Sequence, residues 1–381
     1  MTTQSATPVP AQSGPNGEEH VDTVIIGAGQ TGLATAYHLS RVGVETVVLD
    51  ENARVGDHWR RRYDSLRLYT PAKYDSLPGM PFPLPPRTWP TGRQMGDYLE
   101  QYVEAMGLDV RHGMSVDRVR RGQDGDYVVT CGGTSLRARN VVVATGGEHH
   151  PRTPAFAGQI DPGIRQIHSN DYHNPSQLLP GEVLVVGASH SGADLALESA
   201  QAGHETWLAG PHRGQIPIDI EGFGGRLATP VLWFAANHVL TTRTPVGRKM
   251  RPEVRNHGGP LIRVKSEHLE AAGVHRTPAR VTGAKEGLPV LDDGTVLDVR
   301  NVIWCTGFRQ DFSFIDLPVV GEDGWPLDEG GVVSAAPGLY FVGLLFQRGF
   351  YSMLIGGAGR DGAFIASHIA ARSAAASRRA M

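Results

Sequence analysis

Apolar residues in this chain gather into short unbroken runs, and the runs end on glycine. VDTVII at 21–26, TVVL at 46–49 and VLVV at 183–186 show neither helical spacing nor alternation, so each reads as a strand buried on both faces. Between the first two runs, GAGQTGLATAYHLSRVGVE has glycines followed by the one-sided apolar spacing of an amphipathic helix. Strand, glycine turn, helix and strand make a βαβ unit. The same order returns in VLVVGASHSGADLALESAQAGHETWLAG, with a helix expected from about Ser191 and a strand over 205–208. RNVVVATGG at 139–147 and RNVIWCTGF at 300–308 are further apolar strands ending in TG turns, and they flank the second unit. PGLYFVGLL, the turn GGAGRDG and a closing helix over 363–372 complete the pattern. It predicts an α/β fold of two Rossmann-like dinucleotide-binding domains, one split over 20–160 and 295–381 and the other inserted at 175–295.

The first turn has the chemistry of a pyrophosphate cradle. Gly27 permits the sharp turn, Gly29 lets backbone approach a phosphate without a Cβ in the way, and Gly32 allows helix and strand to pack closely. The helix N-terminus then offers unpaired N–H groups to negative charge. Asp50, 23 positions after Gly27, falls where a carboxylate accepts from a ribose 2′-hydroxyl, with Glu51 beside it as the competitor. In the second turn Gly187, Ser189 and Gly192 hold the glycine register, and Asp194 sits in the first helical turn, as ligand contact or as complement to the helix dipole. Its second strand runs into AGPHR with no acid. That removes repulsion to a 2′-phosphate, and His212 and Arg213 either attract one or form a solvated loop. The acid-ended site suits FAD, and the second suits a nicotinamide cofactor that reduces it, NADPH ahead of NADH. Two sites in one chain therefore imply electron transfer between two carriers.

Composition narrows the partner. A formal charge of −3 gives no basic field for nucleic acid, so the partner is expected to be a small molecule. Cys131 and Cys305 lie far apart, which excludes a disulfide framework and a thiolate zinc site, and no other metal-ligand spacing is present. Residues 1–19 have no apolar core or basic flank and read as a disordered leader, with a cytoplasmic location expected. No apolar run reaches the roughly 20 residues that span a bilayer. The nearest, PVLWFAANHVL at 230–240, reads as a short buried or interfacial helix. The surrounding 214–260 segment matches no chemistry; lid, substrate wall and homodimer contact all remain open.

GAGQTG, GDHWRRRYDSLRLYTPAKYDSLPG, the ATG turn, IHSNDYHNP, GASHSGAD and IWCTGF resemble, in order and spacing, the flavin-containing monooxygenases, and most of all their bacterial and plant YUCCA-like branch. The resemblance covers nearly all of 21–372. It implies non-covalent FAD and NAD(P)H-dependent oxygenation, one oxygen atom of dioxygen entering a small nucleophilic substrate through a flavin hydroperoxide. A plain NAD(P)H:acceptor flavin reductase or oxidase is the alternative. Carried over by position, Gly27, Ala28, Gly29, Thr31, Gly32 and Asp50 would hold the FAD pyrophosphate and ribose. Trp59 matches the tryptophan of a GGxW turn near the adenosine half, or packs in the core; Tyr69 and Thr70 match a pair beside the isoalloxazine and the nicotinamide. Gly187, Ser189, Ser191, Gly192 and Asp194 match the nicotinamide cofactor loop.

Two departures stand out. The family fingerprint FxGxxxHxxxY appears as Phe156, Gly158, His168 and Tyr172, with nine residues instead of three between Gly158 and His168. Tyr69, the candidate catalytic residue, stands where classical members carry an asparagine, and its hydroxyl can donate one hydrogen bond without offering an amide's carbonyl. Arg60, Arg61 and Arg62 either pair with phosphates or form a solvated turn with a structural ion pair.

Overall fold

The computed structural model describes residues 12–13 and 19–380. The expected leader lies outside these residues except at Gln12–Ser13 and Glu19, and Gln12 and Ser13 pair antiparallel with His20 and Glu19. Two parallel sheets form the frame. In the first, Val110–Arg111, Thr46–Leu49, Glu19–Ile26 and Thr134–Val143 lie side by side in that order, and Leu339–Phe341 runs parallel to the upper end of the last. The lower end of Thr134–Val143 continues instead into the antiparallel strands Tyr127–Cys131 and Val116–Arg121. The second sheet is parallel throughout, in the order His275–Thr277, Thr206–Ala209, Val183–Val186, Asn301–Trp304, Arg165–His168.

Burial explains the unbroken apolar runs. Val24, Ile25, Val48, Leu49, Val141 and Val142 have no exposed surface, because one face of the first sheet packs under the helices Gln30–Arg41, Gly92–Met106 and Ala358–Ala380. Its other face packs on the antiparallel strands and on Phe312, Ile315 and Val319. The second sheet is sandwiched likewise, with Ala193, Leu195 and Leu269 on one side and Ile160, Val281 and Leu291 on the other.

Several borders differ from the sequence expectation. The second sheet takes in Arg165–His168, which precedes 175, and Asn301–Trp304, which lies past 295. Those strands were invisible as members of the inserted unit because an apolar strand carries no label for its sheet. The second nucleotide helix starts at His190, one residue before Ser191, and the closing helix starts at Ala358, five residues before 363. The apolar 230–240 segment is the end of a helix over Phe223–Phe234 followed by a π-helical turn, Ala235–Val239. Of the buried or interfacial helix expected over 230–240, Ala236 and Asn237 are buried, while Val231 and Phe234, and Phe223 earlier on the same helix, are exposed. No helix among the described residues is long and apolar enough to cross a membrane.

In each sheet the glycine turn leaves the carboxyl end of the strand where the order reverses, so each opens into a crevice between diverging connections. The two chain crossings between the sheets lie together: His150–Pro151 and Phe308–Arg309 pair antiparallel just beyond the two TG turns.

Candidate functional site

Gly27 has φ +106°, and a Cβ there would lie 2.7 Å from the Ala144 carbonyl oxygen, so the ATG turn passes directly behind the first glycine turn. At Gly32 a Cβ would lie 2.1 Å from the Gly27 carbonyl oxygen. Gly29 is different. A Cβ there would meet nothing within 4 Å, so it borders open space at the start of the Gln30–Arg41 helix, which has no side-chain cap. Thr145, half-buried beside the turn, has a buried hydroxyl oxygen without a partner. Open space at Gly29, uncapped N–H groups and an unpaired hydroxyl fit a pyrophosphate.

The acid beside this turn is Asp50. It is buried, accepts from the Ala28 N–H at 2.7 Å, and takes the backbone and side-chain N–H groups of Asn52 at 2.9 and 2.7 Å. Glu51 points to solvent. Trp59, half-buried, donates its indole N–H to Gln30 Oε1 at 3.3 Å and so stands at the same helix start. Thr31 is buried against Gly343, at the end of the Leu339–Phe341 strand. The arginine run divides. Arg60 is held by Asp57, Asp97 and Glu100, Arg61 meets Asn52, and Arg62 pairs with Glu148. Arg60 and Arg62 thus have carboxylate partners within the chain, and the turn is structural to that extent.

The second turn repeats the first. Gly187 has φ +110° with the Cys305 carbonyl oxygen 2.3 Å from a would-be Cβ, and at Gly192 that position lies 1.7 Å from the Gly187 carbonyl oxygen. Ser189 turns its hydroxyl away from the helix and donates to the Gly259 carbonyl at 3.0 Å. His190 Nε2 lies 2.7 Å from the Pro260 carbonyl oxygen, which makes that nitrogen the protonated one. Burial pulls the His190 pKa down, so its ring is neutral. Ser191 is half-buried on the same turn. Arg213 is exposed just past the Thr206–Ala209 strand, and Arg276 lies on the neighbouring parallel strand. The pKa of His212, next to Arg213, is lowered by burial and then by the Arg276 charge, which sets His212 and Arg276 close together.

The 57–75 loop bridges the two turns, with Trp59 at the first and Tyr69 at the second. The Tyr69 and His190 rings are 5.0 Å apart, inclined at 48°. Tyr63 donates to Asp194 Oδ2 at 2.9 Å, and Arg263 reaches the same oxygen at 3.1 Å. Asp194, nearly fully buried, thereby ties the 57–75 loop to the second turn, which goes beyond complementing a helix dipole. Burial, and then the Asp194 charge, pushes both the Tyr63 and Tyr69 hydroxyls well above the usual phenol range, so both remain protonated donors. Thr70 faces the other way and donates to Asp75 Oδ1 at 2.5 Å. Asp75 has no exposed surface, its Oδ2 has no partner, and burial raises its carboxyl to about 7 against the opposing Thr70 bond. His168 accepts from the Asn170 N–H and faces the Gly307 carbonyl at 3.2 Å, beside the paired crossings.

The structure thus brings Gly27, Ala28, Gly29, Thr31, Gly32, Asp50 and Trp59 together at one turn, and Gly187, Ser189, Ser191, Gly192, Asp194 and Tyr69 at the other. Glu51 stands apart from the cleft. Sequence reasoning missed Tyr63, Asp75, Arg263 and Arg276. Tyr63 and Asp75 lie inside the quoted YDSLRLYTPAKYDSLPG motif, where the signal was present but unassigned. Arg263 and Arg276 carry no local signal and arrive through tertiary adjacency.

Comparison with known proteins agrees with this layout. The model of a family described as pyridine nucleotide-disulphide oxidoreductase matches residues 24–216, just over half of the chain. A CzcO-like oxidoreductase of Geobacillus kaustophilus is 34% identical over 92% of this chain and 98% of its own. The indole-3-pyruvate monooxygenase YUCCA1 of Oryza sativa subsp. japonica is 37% identical over 86% of this chain and 87% of its own. Among solved structures, a flavin-containing monooxygenase from Stenotrophomonas maltophilia superposes with a TM-score of 0.74 at 27% identity, covering 93% of this chain and 99% of that one.

Proposed function

The chain belongs to the flavin-containing monooxygenase family, and from this premise we propose that it binds FAD at the first turn and NADPH at the second and inserts one oxygen atom into a small nucleophilic substrate. Bound FAD would supply the redox chemistry, accepting hydride from the nicotinamide and passing activated oxygen to substrate. The observation that carries the reading is the 5.0 Å contact of Tyr69 with His190, which brings the 57–75 loop, whose Trp59 stands at the first turn, onto the second.

The remaining work falls to side chains. Asp50 is fixed by Ala28 and Asn52 so that its remaining acceptor capacity is available to a ribose hydroxyl. His212, Arg213 and Arg276 gather at the edge of the second sheet and favour a 2′-phosphate, which supports NADPH over NADH. Asp194, holding Tyr63 and Arg263, keeps the nicotinamide turn at a fixed distance from the flavin side. Tyr69 keeps its hydroxyl protonated at working pH and hydrogen-bonded to Asp194; released from that carboxylate, it would be a single donor to developing negative charge in the cleft.

The same residue favours a second reading, an NAD(P)H:acceptor reductase that loses its electrons to oxygen as peroxide, because one hydroxyl lacks the donor and acceptor pair of an amide. The two readings separate in a stoichiometry assay. The flavin-loaded protein is supplied with NADPH, oxygen and a substrate panel of amines, sulfides and aromatic 2-oxo acids, the last suggested by the YUCCA1 relative. At least one substrate should give product in near one-to-one ratio with NADPH consumed. Hydrogen peroxide equal to NADPH with every substrate would favour the reductase.

A further inference from the structure

The helix Phe223–Phe234 and its neighbour Pro245–Asn256 are not used by the proposed chemistry, and they carry an unusual surface. Phe223, Leu227 and Val231 are 74%, 66% and 68% exposed, and their i, i+4, i+8 spacing puts them on one face. Phe234, three residues on, is 59% exposed and extends the stripe. The helix is fixed from its inner side: the Trp233 ring lies 4.8 Å from Tyr74, and Asn237 just beyond accepts from Arg360 at 2.7 Å. The outer apolar face is thus a firmly held feature, larger than the scattered apolar residues of an ordinary surface.

Charge is concentrated in the same stretch of chain. Over 223–256 stand Arg226, Arg243, Arg248, Lys249, Arg251 and Arg255 against Glu253 alone, a formal surplus of five positive charges. The whole chain carries −3, so everything outside this segment sums to −8. Arg255 is turned inward over the Trp325 ring, while Arg226, Arg243, Arg248 and Lys249 are exposed. We infer that residues 223–256 form a docking surface for an anionic lipid bilayer, with the Phe223–Leu227–Val231 stripe lying in the interface and the cations over acidic headgroups. A helix of 12 residues is about 18 Å long, enough to lie in the interface and too short to span it.

Charge decides between occupants. A second copy meeting this face about a two-fold axis would bring the cationic surplus against itself, whereas an anionic bilayer matches both the apolar and the basic part. Immediately after the segment, Gly259 and Pro260 hold Ser189 and His190, so docking would set the bilayer beside the cleft.

The test is flotation of the purified full chain with phosphatidylcholine vesicles and with vesicles containing about 30% phosphatidylglycerol. The chain should float with the acidic vesicles, the bound fraction falling about tenfold from low salt to about 0.5 M and remaining low on phosphatidylcholine alone. L227D/V231D should abolish flotation and R248E/K249E should lower it about fivefold, both with unchanged circular dichroism and native mass. Absence of flotation by the unaltered chain overturns the inference, as does flotation of L227D/V231D at the unaltered level. A chain that stays with the non-floating fraction while L227D/V231D halves its native mass assigns the face to a second copy instead.

Discussion

At the scale of single residues, Asp75 is the group whose environment conflicts most with its chemistry. It is a fully buried carboxyl with one oxygen bonded to Thr70 and the other unpartnered, and burial lifts its pKa from 3.8 to about 7. A folded state that keeps this proton longer than the unfolded chain is stabilised below the unfolded value and loses that stability as pH rises toward 7. Between pH 5 and pH 8 the loss from this group is about 2–3 kcal/mol, from the about 1.4 kcal/mol that each pH unit contributes. Asp75→Asn keeps an acceptor for Thr70 and removes the titration. Denaturant unfolding should show the stability of D75N relative to the unaltered protein rising by about 2–3 kcal/mol between pH 5 and pH 8; parallel pH curves for the two would contradict the assignment. Tyr63 and Tyr69 present no such conflict, since their hydroxyls are raised in the direction that keeps them neutral donors.

Among elements, the two strand–turn–helix units were the most legible part of the sequence, because unbroken apolar strands and glycines at fixed offsets are each demanded by close packing. Gly32 and Gly29 separate the two demands. A Cβ at Gly32 would sit 2.1 Å from a carbonyl oxygen inside the turn, whereas at Gly29 it would enter open space. G32A should therefore cost about 1–3 kcal/mol of stability by overpacking. G29A should stay within about 1 kcal/mol of the unaltered protein yet bind FAD at least about tenfold more weakly, as read by flavin fluorescence on titration. Equal FAD affinity in G29A would remove the first turn from the cofactor site. Less was legible where an element's place depends on its neighbours. The Arg165–His168 and Asn301–Trp304 strands were not assigned to the second sheet, because strand pairing is chosen by topology. The 230–240 segment is expected to be buried or interfacial because an apolar run reads alike in a core and on a surface, and the exposed side chains of Val231 and Phe234 show which part faces outward. Arg263 and Arg276 lacked any motif, since each gains its role from a partner far along the chain.

For the whole molecule, the arrangement rests on how the two sheets are held relative to each other. The crossings pair as His150–Pro151 with Phe308–Arg309, His168 braces them at Gly307, and Asp194 ties the second turn to the 57–75 loop through Tyr63 and also holds Arg263. These contacts come from six separate stretches of chain, so no local pattern announced them, although repetition of the strand–turn–helix unit was plain in the sequence. Their combined effect is the Tyr69–His190 approach, which in the proposed function would leave hydride a short path between a bound flavin and a bound nicotinamide. The most direct measurement is anaerobic mixing of the FAD-loaded protein with NADPH or NADH, following loss of the oxidised flavin absorbance. Bleaching whose rate saturates with NADPH, and is faster with NADPH than with NADH at equal concentration, is the expected result. Flavin that stays oxidised with both coenzymes, or a chain that takes up no FAD, would contradict the two-cradle arrangement at its root.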